Sequence, residues 1–166
     1  MFALFRTESF FNIWYWILTV TVWTAVCHRT LGVPHDMVLR AGRLPGVARR
    51  VDLLARIWAE RLTGVAEAFG APLAAVAGFG LATLAGLGYG WGNEPAKAAF
   101  VLLAPLSAAA LGGFELARDV VAQDLAGEAL RKRLARRRTL NQGIAVLAIL
   151  FAAVTALGHP PRVFAF

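Results

Sequence analysis

Gly88-Tyr89-Gly90, followed by Pro95, has the look of a cation filter, in which rings of backbone carbonyls replace an ion's hydration shell. Its context argues otherwise. Gly86 and Leu87 stand where Thr-Val would be required, Trp91 follows where Asp would, and the segment available for an outer helix carries Arg, Asp and Glu throughout. A glycine-rich helix end with interfacial Tyr89 and Trp91 explains the string. Three histidines could offer axial imidazoles to a haem, but His28, His35 and His159 are expected at one end of the first span, in a loop and at the opposite end of the last span, with no common depth. Cys27 is the only cysteine, which excludes an intrachain disulfide and a multi-cysteine cluster. Glu115 is expected at a membrane boundary, three residues from Arg118, rather than in a proton path. No Ser/His/Asp, paired-carboxylate or metal-ligand spacing supports an enzyme, so no catalytic, cofactor or metal residue is assigned.

What remains is surface chemistry. Arg131, Lys132, Arg133, Arg136, Arg137 and Arg138 form a basic run. It could hold anionic lipid headgroups at about 1 kcal/mol per charge, or act as a topogenic signal that keeps its loop in the cytoplasm. Trp58 stands on an otherwise aliphatic stripe, where tryptophan typically anchors a partner helix or a membrane surface.

The elements that position these residues follow from hydropathy. Apolar residues make up 58% of the chain and the mean hydropathy is +0.61, above the roughly 45–50% apolar content of soluble domains. A single all-α membrane domain over residues 1–166 is expected, with four transmembrane helices at about 10–28, 69–91, 96–116 and 140–158. The first opens with Phe10, Phe11, Trp14, Tyr15 and Trp16, an interfacial belt; the residues before it are barely positive and lack a small-x-small cleavage site, which disfavours a signal peptide. The second and third fold back on each other at 90–95. Read at every fourth position they give Ala74, Gly78, Ala82, Gly86 and Gly90, then Ala104, Ala108 and Gly112. Because lipid offers no hydrophobic drive between helices, close approach over small residues is how membrane helices pack, and these ridges are expected to join the two arms. Ala148, Ala152 and Ala156 give the fourth span a ridge of its own.

Two cytoplasmic amphipathic helices are expected as extensions. Over 47–67, Val47, Val51, Leu54, Trp58, Leu62 and Val65 share a face, and Asp52, Arg56 and Glu60 form an i,i+4 chain on another. Gly70 and Pro72 should bend the chain after it. Over 118–138, Asp124, Glu128, Lys132 and Arg136 repeat the pattern. The sequence favours Trp58 packing on this second helix over docking an outside partner. The net charge of +7 would suggest nucleic acid in a soluble protein. Here fourteen of the seventeen basic residues fall in the segments after the first span and before the fourth. That asymmetry implies no nucleic-acid partner; it places both segments in the cytoplasm and both termini in the periplasm.

Ser9-Phe10-Phe11-Asn12-Ile13-Trp14-Tyr15-Trp16, His28 and Leu31-Gly32-Val33-Pro34-His35-Asp36-Met37-Val38 resemble an uncharacterised family of small alphaproteobacterial integral membrane proteins. The resemblance covers residues 9–40 in sequence and the rest in hydropathy. Members are often labelled as a component of the SufBCD iron–sulfur assembly complex. The resemblance implies a multi-pass inner-membrane protein with no established activity. The expected role is a non-catalytic accessory or scaffold subunit of a larger membrane complex, or a homo-oligomer. A small pore or solute transporter is the alternative.

Overall fold

The computed structural model describes residues 13–157. The start of the expected first span, at 10–12, and the tail with Gly158 and His159 lie outside the described residues. The fold is helical. α1 (Ile13–His28) leads into a two-residue hairpin, β1 (Arg29–Thr30) and β2 (Val33–Pro34), then α2 (His35–Ala41), α3 (Pro45–Ala85), a π turn (Gly86–Gly90), α4 (Glu94–Ala122) and α5 (Gly127–Leu157). Three helices are long and apolar enough to cross a membrane: α3 with its π turn, α4 and α5. α1 is a shorter apolar helix.

The hairpin was not foreseen. Leu31 and Gly32 connect its strands with φ of 51° and 70°, and positive φ at both central residues is the mark of a type I′ turn, which matches strand twist. Leu31 is held in this left-handed region because its side chain is buried in the core below.

Two boundaries differ from expectation. The helix expected at 47–67 and the span at 69–91 are one helix. It runs unbroken through Pro72 for 46 residues including the π turn, roughly 69 Å at the α-helical rise. A proline costs one backbone bond, and the turns on either side carry the helix past it. The expected 118–138 helix, by contrast, is two pieces. α4 ends in a Schellman motif: Asp124 takes the left-handed position at φ 46°, and Leu125 N–H donates to the Val120 carbonyl at 3.1 Å. Gly127, at φ 59°, then starts α5 in the opposite direction. The charge chain through Asp124 is therefore broken, although Lys132 and Glu128 do pair at 2.8 Å.

At this end the chain builds a cap with an ordinary hydrophobic core. Leu31, Val33, Ala41, Val51, Ala55, Ala59, Leu116, Ala117, Val120, Leu130 and Leu134 are buried together. Asp52 leaves its expected helix-surface chain and accepts a hydrogen bond from Gly127 N–H at 3.0 Å, so α3 caps the first turn of α5. Arg56 pairs with Glu60 at 3.0 Å and with Asp124 across the turn.

Away from the cap, α1, α4 and α5 pack together. Tyr15 and Trp16 lie against Ala98, Val101, Ala152 and Ala156; Trp23 lies with Leu102, Ala109, Ala145 and Ala148. Rising numbers on α1 meet falling numbers on α5, so the two are antiparallel. The alanine ridge of α5 is thus a real contact surface. Thr19, Thr83, Ser107 and Thr155 donate to the carbonyls of Tyr15, Phe79, Leu103 and Phe151, each four residues back in its own helix.

At the far end, α3 turns into α4. The π turn closes with Trp91 N–H to the Gly86 carbonyl at 3.3 Å, and Asn93 caps α4 by accepting from Ala96 N–H at 3.0 Å. Gly88 is the closest approach: a Cβ there would lie 2.8 Å from both N and Cα of Lys97. Gly88-Tyr89-Gly90 therefore ends a helix. Tyr89 stands edge-on to Phe100, with ring centroids 5.9 Å apart, and the Lys97 Nζ lies 5.3 Å from its ring centroid.

Candidate functional site

Three surfaces collect the residues singled out by sequence. The first is the apolar half of α3. Residues 71–79, two and a half turns, are all exposed. Ala74, Gly78, Ala82, Gly86 and Gly90 are exposed with them, and a Cβ at Gly78, Gly86 or Gly90 would meet nothing within 4 Å. The expectation that this ridge joins the two arms is overturned. Along the apolar half, α5 covers Val101, Leu102 and Ala109 of α4 with alanines, while α3 meets α4 in the cap, where Val51, Ala55 and Ala59 share a core with Leu116, Ala117 and Val120, and at Gly88. Of the second ridge, Ala108 is exposed, Ala104 is half-buried and Gly112 is buried. Gly112 admits a side chain instead of a helix: its missing Cβ would lie 1.8 Å from Nη1 of Arg137.

The basic run is the second surface, and the fold divides it. Lys132 and Arg133 are exposed and paired, Arg133 with Asp119 at 3.2 Å, and such exposed pairs contribute little. Arg137 and Arg138 are half-buried and, being adjacent on a helix, point to different neighbours. Arg137 Nη2 donates to the Ala109 carbonyl on α4 at 2.9 Å, while Arg138 Nε donates to the Cys27 carbonyl at the end of α1 at 3.2 Å. Arg136 and Glu115 line a cleft of about 190 Å³ between α4 and α5. Arg131 is half-buried.

His28 and His35 contribute to the same corner. Burial holds the His35 imidazole below its ordinary value, and the positive charges of Arg138 and His28 push it the same way against Asp36. His35 opens α2 rather than lying in a loop, and the β1–β2 hairpin folds α2 back so that His35 lies near His28 at the end of α1; His159 lies outside the described residues. Between α1 and α5 a cleft of about 330 Å³ opens here, lined by Val20, Trp23, Thr24, Cys27, His28, Arg138 and Ile149. Among the described residues no three His, Cys, Asp or Glu side chains gather as metal ligands.

Trp58 is the third surface. It packs within the chain on the hairpin, where a Cβ at Gly32 would collide with its ring. The Arg61 guanidinium lies over the same ring, 5.6 Å from its centroid. At 39% exposure the indole keeps a free edge. Sequence reasoning missed the Asp52 cap, the Gly88 approach and the corner around Arg138. Only Gly32 carried a signal, a glycine before a β-branched residue and a proline.

No family model, curated protein or solved structure matches the chain.

Proposed function

We propose that the protein is a non-catalytic subunit of a bacterial inner membrane, an accessory or scaffold element that lends α3 to a second membrane helix from a larger complex or another copy of itself. The observation that carries this reading is the bare run 71–79, with its small-residue ridge, on a helix fixed at both ends by the cap and by Gly88. In lipid, such a ridge gains its packing energy only from a neighbouring helix. We further read α1 as the fourth span. It runs antiparallel to α5 from the level of Ala156 to that of Arg138, and so matches the apolar length of its neighbour. The cap holds most of the basic residues, which supports a cytoplasmic cap with both termini in the periplasm. This is the kind of protein that the resemblance over residues 9–40 implies.

The test uses a Cys27→Ser background carrying Ala82→Cys. Crosslinking in native membranes should yield a species larger than the monomer, and Gly78→Leu with Gly86→Leu should abolish it while leaving thermal stability unchanged, since a Cβ at either glycine meets nothing within 4 Å. A monomer-only pattern, or crosslinks indifferent to the leucines, would refute the role assigned to α3.

A further inference from the structure

The cleft between α1 and α5 has a polarity gradient along its length. Arg138, His28 and the Cys27 carbonyl stand at the cap end; Thr24 and Trp23 come next; Val20 and Ile149 close the apolar end. From Arg138 to Ile149 is eleven residues, roughly 16 Å of helix. Cation, then hydrogen-bonding groups, then hydrocarbon is the order of a phospholipid read from phosphate to ester to chain. Two further observations concern donors. Arg138 spends only Nε on the Cys27 carbonyl among the described residues, which leaves Nη1 and Nη2 for an anion. Trp23 is 3% exposed, lines this cleft, and among the described residues its indole N–H has no acceptor. A buried donor without a partner is costly, and a glycerol-ester carbonyl would satisfy it. At His35, beside the cleft, the positive charges of Arg138 and His28 outweigh the negative charge of Asp36, a local field that favours an anionic over a zwitterionic headgroup.

We propose that the α1–α5 cleft is a site for one anionic phospholipid, with its phosphate on Arg138 and His28, an ester carbonyl at Trp23 and an acyl chain along Val20 and Ile149. The site rests on the reading of both helices as membrane spans. The test is native mass spectrometry of the purified full chain after exchange into micelles containing phosphatidylglycerol, phosphatidylcholine, or inorganic phosphate without phospholipid. The wild type should retain one phosphatidylglycerol in preference to phosphatidylcholine. Arg138→Gln should lower retention by about tenfold or more, the loss of one charge-assisted hydrogen bond, and Arg138→Lys should keep most of it. Thr24→Phe fills the slot without touching the cations and should also expel the lipid, so the proposal stays testable if Arg138→Gln does not accumulate. Equal retention in wild type, Arg138→Gln and Thr24→Phe would overturn the site, as would phosphate binding that Thr24→Phe leaves intact. Recovery of the chain outside the membrane fraction would instead overturn the membrane reading beneath it.

Discussion

Gly88→Ala should destabilise the protein, whereas Gly78→Ala, ten residues earlier on the same helix, should not. The methyl group added at Gly88 would lie 2.8 Å from both N and Cα of Lys97 and 3.0 Å from its Cβ. Ordinary contact begins near 3.4 Å, so the two backbones must part by about half an ångström. Neither can yield alone. The π turn is tied to Trp91 and Asn93 by hydrogen bonds, and the first turn of α4 is capped by Asn93. Overpacking of this kind costs about 1–3 kcal/mol, partly offset by the roughly 0.5–1 kcal/mol that alanine gains over glycine inside a helix. The balance is a loss of about 1–2 kcal/mol at Gly88 and a small gain at Gly78, where the methyl meets nothing within 4 Å. Thermal unfolding of the monomer in mild detergent reads the difference. At about 2–4 °C per kcal/mol for a chain of this size, Gly88→Ala should melt several degrees below Gly78→Ala. Equal melting, or the reverse order, would refute the close approach of α3 and α4 at this turn.

Two further substitutions probe the cap. Asp52→Ala removes the acceptor that α3 offers to the first N–H of α5 and should lower stability by about 1 kcal/mol in the same melt. A neutral Asp52→Ala would mean that water serves that N–H equally well. Gly32→Ala should cost more, about 2–4 kcal/mol, because it forces a side chain into the left-handed region and into the Trp58 ring at once. Pairing it with Trp58→Ala should recover the steric part of the loss, and strict additivity of the two would show that the ring does not rest on the turn.

The sequence shows helices more readily than it shows which faces they use. The stripe predicted on the cap half of α3 was Val47, Val51, Leu54, Trp58, Leu62 and Val65. The fully buried line is Val51, Ala55 and Ala59, with Trp58 and Val65 left partly in the open. Alanine, neither large nor polar, gives no stripe signal, yet close helix approach selects it. Small residues mark where a neighbour can come close, not that one does: α3 meets α4 in the cap and at Gly88, and the ridge of Ala74, Gly78 and Ala82 between them stays bare. The break at 123–126 was invisible for a different reason: its left-handed position is filled by Asp124, whose charge extended the i,i+4 pattern, while Gly127 sits one step beyond the reversal. Hairpin β1–β2 is too short to show alternation at all.

The exposure of α3 bears on the solvent it was built for. Val76 and Phe79 are 73% and 76% exposed, and Phe69 and Leu73 lie more than half in the open on the same helix. In water, a contiguous apolar surface of this kind would be an aggregation liability. In hydrocarbon it costs nothing, because lipid chains are as apolar as the side chains they touch, and the helix satisfies its own backbone. Ion pairs gather at the other end. Arg56 with Glu60 and Asp124, Lys132 with Glu128, and Arg133 with Asp119 all belong to the cap. One helix thus carries a water-adapted half and a lipid-adapted half, joined without a break near Phe69. The cap fixes the direction in which α3 leaves it, and the Gly88 contact fixes its far end. Under the role proposed for α3, a span held at both ends and bare in the middle would lose little ordering entropy when a second helix docks.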